Sequence, residues 1–355
     1  MRDAILELIH ARETGASEGR FSEAALLLFR YQFDRNPRYR QFCLSQNKTP
    51  ELVQRWEEIP PLPVMAFRLT DLSCRPLSGA VRVFQSSGTT GKEKSRHALF
   101  DLELSRAAIL SHFGKHLLPE GKRLRMAILS PSPEEAPNSS LSHMMEAVRD
   151  AFGTGESRYY IKGDRLEAER LAADLIGLRE PVALLGTSFS FVHFLDFLQA
   201  QADPLSLPEG SRLMDTGGFK GRSREIPRER LYTLYEERLG LPSKSCVNEY
   251  GMAEMTSQFY DGIFGHDRPR VYIAPPQVRT LLLHTETLQP VRKGEVGLLA
   301  HYDLANIDSV MAILTEDLGR EAEGGFVLLG RASGSTAKGC SITLDDLLQM
   351  EARKK

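Results

Sequence analysis

The sequence is poor in cysteine, has a single tryptophan and contains no long apolar run. Its four cysteines lie far apart in 355 residues, without the close pairing of a zinc site or the density of a secreted disulfide scaffold. We therefore expect reduced thiols. No apolar stretch is long enough to cross a bilayer, and the N-terminus lacks the pattern of a secretory signal. These absences predict a cytoplasmic protein without a membrane span.

The chain also lacks an excess of charge of either sign. The formal net charge is -2, and 26% of the residues are charged, so no global field favours nucleic acid or an acidic membrane as a partner. We expect no nucleic-acid binding. The length suits one large α/β domain with smaller lobes.

Hydrophobic patterns predict an α/β fold with two kinds of sheet. Residues 3–47 have apolar positions at helical spacing, and prolines stiffen an extended connector at residues 59–64. Short buried strands alternate with helices across residues 126–201, which is typical of a doubly wound, mainly parallel sheet. Short strands separated by turns, from residues 271–273 to residues 326–329, predict a smaller and more antiparallel β lobe.

A segment at residues 84–94 is dense in hydroxyl groups, glycines and lysines. Glycines let backbone N–H groups turn onto an anion, and the other side chains add donors and positive charge. The segment therefore predicts a phosphate-binding loop, with a polar surface turn as the alternative. A Walker loop is excluded, because Ser86 and Glu93 occupy positions that require glycine and serine or threonine. The predicted phosphate ligands are Ser86, Ser87, Gly88, Thr89, Thr90, Gly91 and Lys94.

The order Ser-Ser-Gly-Thr-Thr-Gly-x-x-Lys resembles the phosphate loop of the adenylate-forming superfamily, which includes acyl-CoA synthetases and firefly-type luciferases. This resemblance implies an ATP-dependent enzyme in which Lys94 assists catalysis. Residues 248–254 are similar to the superfamily's Tyr-Gly-x-Thr-Glu motif, which implies that Tyr250 and Gly251 lie at the nucleotide and that Glu254 holds Mg²⁺. A carboxylate suits this hard cation, which proteins hold through carboxylates and substrate phosphates.

Further segments resemble other parts of the same superfamily. Gly217 and Gly218 are similar to the glycine pair beside the adenine pocket, with a strand-ending turn as the alternative. Asp317 matches an aspartate that accepts hydrogen bonds from both ribose hydroxyls, a role that suits an acceptor-only carboxylate. Arg331 matches the arginine of a Gly-Arg-x-x-Asp hinge, although the hinge aspartate is missing. The resemblance implies that His143 orients the acyl carboxylate; a packing role is the alternative.

One branch of the superfamily is similar along most of the chain: the acyl-protein synthetases of the bacterial luminescence fatty acid reductase system. This resemblance implies that a long-chain fatty acid is activated as acyl-AMP and then transferred to a cysteine near the C-terminus. Cys340 matches that place. Cys340 lies in a glycine-containing run beside Lys338, and a nearby cation favours the nucleophilic thiolate. An inert cysteine is the alternative.

The resemblance also implies a domain arrangement. Residues 1–325 match the large N-terminal domain of the superfamily, including a helical arm at residues 1–58. Relatives continue into a small domain that carries a catalytic lysine, whereas we expect residues 326–355 to form only a short C-terminal tail. Such an enzyme would load its own cysteine. It would then pass the acyl group to a partner enzyme, an acyl reductase or acyltransferase of a fatty acid reductase complex.

Two other functions stay open at this point. An acyl- or aryl-CoA ligase, related to phenylacetate-activating enzymes, would form acyl-CoA without a covalent protein intermediate. A non-catalytic nucleotide-binding subunit of a reductase complex would bind ATP without releasing pyrophosphate. The presence of both Lys94 and Glu254 favours an enzyme, since nucleotide binding alone does not require a metal ligand.

Overall fold

The computed structural model describes residues 1–11, 17–86, 94–201, 205–217, 226–267 and 269–332. In these ranges the α-helices are α1 (Arg2–His10), α2 (Ser17–Arg35), α3 (Pro37–Ser45), α4 (Ala66–Leu69), α5 (Leu102–Leu117), α6 (Ser140–Phe152), α7 (Ala168–Leu175), α8 (Ser188–Ala200) and α9 (Arg228–Leu239). The strands are β1 (Leu62–Pro63), β2 (Arg82–Gln85), β3 (Arg96–Leu99), β4 (Arg125–Leu129), β5 (Arg158–Tyr159), β6 (Ile161–Lys162), β7 (Arg165–Leu166), β8 (Val182–Thr187), β9 (Arg212–Thr216), β10 (Cys246–Tyr250), β11 (Phe259–Tyr260), β12 (Val278–Leu283), β13 (Val296–Asp303), β14 (Ala312–Ala322) and β15 (Gly325–Arg331).

These elements divide between two compact units. The first unit contains the described parts of Met1–Ala108, Met252–Ser257 and Val271–Lys355, and the second contains those of Ile109–Gly251 and Gln258–Arg270. In the described part of the chain, no helix is both long enough and apolar enough to cross a membrane.

Three helices, α1 to α3, begin the first unit and confirm the predicted helical region. Pro37 starts α3, a position where the N–H group that proline lacks is not needed for a helical hydrogen bond. The Asn36 side chain caps this helix by accepting a hydrogen bond from Tyr39 N (3.1 Å).

Gln32, in α2, is fully buried and binds the segment between β13 and β14. Its Nε2 donates to the carbonyl of Asn306, and its Oε1 accepts from Met311 N. Helix α2 is therefore fixed to the sheet of the same unit.

The first unit contains a five-stranded sheet in the order β1-β14-β13-β12, with β15 also paired to β14. Strands β12 to β15 are antiparallel, which confirms the predicted β lobe. The predicted extended connector contains the edge strand β1, which is parallel to β14. Pro63 has no N–H to donate to a ladder, and an edge strand tolerates this because one of its sides has no partner strand. At the predicted strand of residues 271–273, Tyr272 and Ile273 form β-bridges, and Tyr272 pairs with Phe326 of β15.

The second unit contains a six-stranded sheet in the order β11-β10-β9-β8-β4-β5. All neighbours are parallel except β11, which runs antiparallel to β10, and the predicted doubly wound, mainly parallel sheet is confirmed. Consecutive residues of a strand point to opposite faces. Accordingly, Leu184 belongs to one apolar cluster and Leu185 to another. Burial of both faces is the usual condition of parallel sheets.

Gly186, in β8, packs closely against β4. A Cβ at this position would lie 2.7 Å from the Cβ of Leu129 and 3.0 Å from its carbonyl oxygen. Leu129 is fully buried and cannot move without disturbing the packing between two paired strands. We predict that Gly186→Ala lowers the free energy of unfolding by about 1–3 kcal/mol, as measured by urea denaturation.

Gly155→Ala is the matched control in the same unit. No heavy atom lies within 4 Å of a Cβ added at Gly155, so we expect a change of less than about 0.5 kcal/mol. Equal losses for the two variants would contradict the packing explanation.

Candidate active site

The predicted phosphate loop begins at the end of β2, in the first unit. Strands β2 and β3 form an antiparallel hairpin, with Phe84 opposite His97. At the base of the loop, Ser86 N donates to the carbonyl of Ser95 (3.3 Å), and Ser95 N donates to Ser86 Oγ (3.2 Å). Lys94 is exposed. The predicted phosphate ligands that lie outside the described residues are Ser87, Gly88, Thr89, Thr90 and Gly91.

Glu254, the predicted metal ligand, lies in a loop of the first unit and is only 5% exposed. Among the residues that the structure describes, no hydrogen bond or ion pair reaches its carboxylate. No group of three or more metal-binding side chains occurs in the described ranges. The donor set therefore fits Mg²⁺ held by one carboxylate together with substrate phosphates.

Two buried side chains at the end of β13 fix the backbone around Glu254. Asn306 Nδ2 donates to the carbonyl of Glu254 (2.9 Å). Asp303 Oδ2 accepts hydrogen bonds from the N–H groups of Thr256 (3.1 Å) and Ser257 (2.8 Å). Burial raises the pKa of Asp303, and these N–H groups act in the opposite direction. The segment that carries Glu254 is thus attached to the antiparallel sheet.

His97, in β3, holds the same segment from the phosphate-loop hairpin. Its Nδ1 lies 3.0 Å from the carbonyl oxygen of Ala253. Because a carbonyl only accepts, Nδ1 must carry the proton. His97 is 2% exposed, and burial lowers the pKa of its imidazole to about 4, so the side chain is neutral at pH 7. The sequence analysis missed this residue, as it missed Asp303 and Asn306.

Asp317 and Arg331, both predicted to act near the nucleotide, come together in the first unit. They face each other across β14 and β15, and Arg331 Nε lies 3.6 Å from Asp317 Oδ1. The side chain of Arg331 is 71% exposed, whereas that of Asp317 is 16% exposed. An ion pair this open to solvent adds little to stability. The structure therefore brings these two predicted residues together at the edge of the β lobe.

In the second unit, Gly217 directly follows β9, and Tyr250 is the last residue of the neighbouring parallel strand β10. Thr216 at the end of β9 is opposite Glu249 in β10, so both predicted residues lie at the carboxyl edge of the sheet, where open α/β sheets bind ligands. Gly217 has a φ of 72°, a backbone conformation that favours glycine. Tyr250 is 9% exposed, with its ring centroid 5.7 Å from that of Phe259. Gly218 lies outside the described residues.

His143 lies in the first turn of α6, also in the second unit. Ser139 caps this helix by accepting a hydrogen bond from Ser142 N (3.2 Å), and His143 N donates to the carbonyl of Ser139 (3.1 Å). The side chain is half-buried. Its assignment to the acyl carboxylate stays a prediction.

The described cysteines are all poor candidates for a nucleophile. Cys43, Cys74 and Cys246 are buried and form no disulfide. Burial raises the pKa of each thiol well above its ordinary value, which disfavours the reactive thiolate. Cys340, the predicted acyl acceptor, lies outside the described residues.

A protein-family model described as acyl-protein synthetase, LuxE, matches residues 14–349. The chain belongs to this family. Two curated relatives are named long-chain-fatty-acid–luciferin-component ligase. The protein from Aliivibrio fischeri is 24% identical over 338 residues, which cover 90% of this chain and 86% of the relative. The protein from Vibrio harveyi is 23% identical over 330 residues, which cover 89% and 85%.

Solved structures confirm the adenylate-forming fold predicted for this member of the acyl-protein synthetase family. An open conformation of 2-hydroxyisobutyryl-CoA ligase, in complex with 2-HIB-AMP and CoA, has a TM-score of 0.68 and 14% identity, covering 88% of this chain and 69% of that one. ATP-bound MatB from Rhodopseudomonas palustris has a TM-score of 0.52 and 14% identity, covering 72% and 49%. At these identities the similarity establishes the fold alone.

Glu249 is a buried acid in this family member that the sequence analysis passed over. It is 5% exposed, and Thr216 Oγ1 donates to its Oε2. A Cβ on Gly251 would collide with its Oε1, so a larger residue at that position would displace the carboxyl group. Burial raises the pKa of Glu249 to about 7, while the hydrogen bond from Thr216 acts to lower it and Asp215 acts to raise it. The only sequence signal that could have identified Glu249 as a candidate was its position next to Tyr250.

The raised pKa of Glu249 makes stability depend on pH. Between the usual value of 4.5 and the folded value of about 7, the native state binds more protons than the unfolded state, so stability falls as pH rises through this window. We predict that Glu249→Gln, which cannot titrate, removes this decline. The difference between pH 5 and pH 8 should be up to about 3 kcal/mol in the free energy of unfolding, measured with urea.

Glu209→Gln, at an exposed position of the same unit, is the control and should keep the pH dependence of the unmodified chain. The interpretation fails if Glu249→Gln shows the same pH dependence as this control.

Proposed function

We propose that this acyl-protein synthetase activates a long-chain fatty acid with ATP and Mg²⁺ and transfers the acyl group to its own Cys340. The observation that carries the proposal is the family match over residues 14–349. Both curated relatives are named as ligases of a long-chain fatty acid, and MatB, of similar fold, has been solved with ATP bound. The match favours this activity over the acyl-CoA ligase and the non-catalytic subunit.

The first step forms acyl-AMP. A carboxylate oxygen of the fatty acid bonds to the α-phosphorus of ATP, the bond from that phosphorus to the pyrophosphate oxygen breaks, and pyrophosphate leaves with the electron pair. Both the nucleophile and the phosphates are anionic, so positioning and charge neutralisation provide most of the rate. The protein must therefore supply cations and N–H donors at the phosphates.

The first unit supplies the groups that we assign to this task. Ser86 and Lys94 flank the phosphate loop, and Glu254 would hold Mg²⁺, which neutralises phosphate charge when it is bound. The position of Glu254, which is 5% exposed and has its backbone carbonyl held by Asn306 Nδ2, supports this assignment. Asp317 would accept hydrogen bonds from the ribose hydroxyls, with Arg331 beside it at 3.6 Å.

The second unit supplies the groups that we assign to adenine and to the acid. Gly217 and Gly218 would border the adenine ring, together with Tyr250 and Gly251. Gly217 directly follows β9 and Tyr250 ends the neighbouring β10, and this position at the carboxyl edge of a parallel sheet supports the role. His143 would orient the fatty acid carboxylate from the first turn of α6.

The second step forms a thioester. The Cys340 thiolate bonds to the acyl carbon of acyl-AMP, the bond from that carbon to the AMP oxygen breaks, and AMP leaves. Burial and a raised pKa argue against Cys43, Cys74 and Cys246 as the acceptor. We assign the adenylation chemistry to residues 1–325 and the acceptor to the tail of residues 326–355, from which a partner acyl reductase or acyltransferase would take the acyl group.

Intact-mass spectrometry tests the proposal directly. We predict that the full chain, incubated with ATP, Mg²⁺ and a panel of fatty acids, gains the mass of one acyl group. Hydroxylamine should remove the adduct, because thioesters are cleaved by this nucleophile. Cys340→Ser should abolish the adduct, while the control Cys246→Ala should retain it, since Cys246 is buried.

Parallel reactions with CoA separate the alternatives. Acyl-CoA formed at an undiminished rate by Cys340→Ser would replace the proposal with a CoA ligase. Binding of ATP without pyrophosphate release, for every acid tested, would identify a non-catalytic nucleotide-binding subunit.

A further inference from the structure

Two segments distant in sequence meet at one buried hydrogen bond in the first unit. His97 lies in the middle of β3, opposite Phe84 in the hairpin that flanks the phosphate loop. Its Nδ1 donates to the carbonyl of Ala253, the residue before Glu254, over 3.0 Å. The hairpin is thereby joined directly to the backbone of the segment that carries the metal-binding candidate.

The surroundings of His97 indicate that it is needed for its hydrogen bond to Ala253 rather than for packing in an apolar core. The side chain is 2% exposed, and the ring of Phe67 meets it edge-on with centroids 6.5 Å apart. Its Nε2 has no hydrogen-bond partner among the described residues. An apolar side chain would avoid the cost of burying this nitrogen. The hydrogen bond to Ala253 is the interaction that an apolar residue could not make.

The other hydrogen bonds that hold residues 252–257 come from a different part of the first unit. Asp303 and Asn306 attach it to the antiparallel sheet through backbone groups of residues 254, 256 and 257. His97 instead attaches it to the hairpin, through residue 253. The sheet contacts fix the segment to the body of the unit, whereas the His97 contact relates it to the loop that would bind phosphate.

We propose that His97 is a positioning residue for the nucleotide: its hydrogen bond to Ala253 sets the place of Glu254 relative to the β2–β3 hairpin that flanks the phosphate loop. The inference rests on the proposed function, since it takes Glu254 as the magnesium ligand and the loop as the phosphate site. His97 touches neither group and acts through the backbone. Its loss should therefore weaken the part of ATP binding that depends on Mg²⁺.

Titration calorimetry with ATP, in Mg²⁺ and in EDTA, tests this role on the full chain. His97→Leu removes the donor and should weaken binding of ATP with Mg²⁺ about tenfold, the usual effect of losing one buried hydrogen bond. In EDTA its affinity should stay within about threefold of the unmodified chain. Glu254→Gln is the reference and should show the same pattern. His97→Asn keeps an N–H donor close to the position of Nδ1 and should restore most of the binding.

The results separate a positioning role from a structural one. Equal weakening of ATP binding by His97→Leu with and without Mg²⁺, or no rescue by His97→Asn, would overturn the proposal. Unchanged binding in His97→Leu would overturn it as well. Fatty-acid-dependent pyrophosphate release by the unmodified chain is measured separately. Its absence would reject the proposed function without altering the outcome of the binding comparison.

Nitrogen-15 NMR of histidine tests the hydrogen bond directly in the unmodified chain. At pH 7 the His97 resonances, identified by their loss in His97→Asn, should show a protonated Nδ1 and an unprotonated Nε2. The opposite tautomer would exclude the hydrogen bond to Ala253 and overturn the proposal.

Discussion

The first unit depends on a buried carboxylate, Asp303, that holds a segment of irregular backbone. Residues 252–257 form no helix or strand, so their N–H groups need partners from elsewhere. Asp303 is fully buried and accepts from the backbone of Thr256 and Ser257 and from the hydroxyl of Ser257. These hydrogen bonds offset the cost of burying the carboxyl group. Asp303 thereby holds the loop that carries Glu254, together with Asn306 and His97.

A comparable arrangement orders the carboxyl edge of the parallel sheet in the second unit. Asp215, in β9, accepts hydrogen bonds from Ser188, Tyr235 and Asn248, which lie on three other elements. Ser188 also donates to the carbonyl of Gly217 (3.1 Å). In each unit, therefore, a buried aspartate orders groups next to residues that we assign to the nucleotide: Asp303 binds backbone N–H groups, and Asp215 binds Ser188, which in turn binds the backbone of Gly217. Such pre-formed sites lose little conformational entropy when a ligand binds.

Much of the architecture could be predicted from sequence because it depends on local patterns. Helical spacing identified the N-terminal helices, and alternation of strands and helices identified the parallel sheet. The segments that resemble superfamily motifs identified Glu254, Asp317 and Arg331, and the structure brings the last two within 3.6 Å. These features depend on residues that are close together in the sequence. They can therefore be recognised without knowing which residues contact them in the fold.

The residues that support the site could not be found in this way. His97, Asp303 and Asn306 form hydrogen bonds with backbone atoms that are distant in the sequence. Every residue has these backbone atoms, so the sequence does not indicate which of them a side chain will bind. Glu249 is acidic in a strand buried on both faces, and only the fold reveals the burial that raises its pKa to about 7.

Exchange of labelled pyrophosphate into ATP is the most direct test of the central claim, that this chain forms acyl-AMP. The reaction reverses only the first step, so it reports adenylation without any need for the thioester. We expect exchange that requires both Mg²⁺ and a long-chain fatty acid and that persists in Cys340→Ser. No exchange with any fatty acid, or its loss in Cys340→Ser, would contradict it.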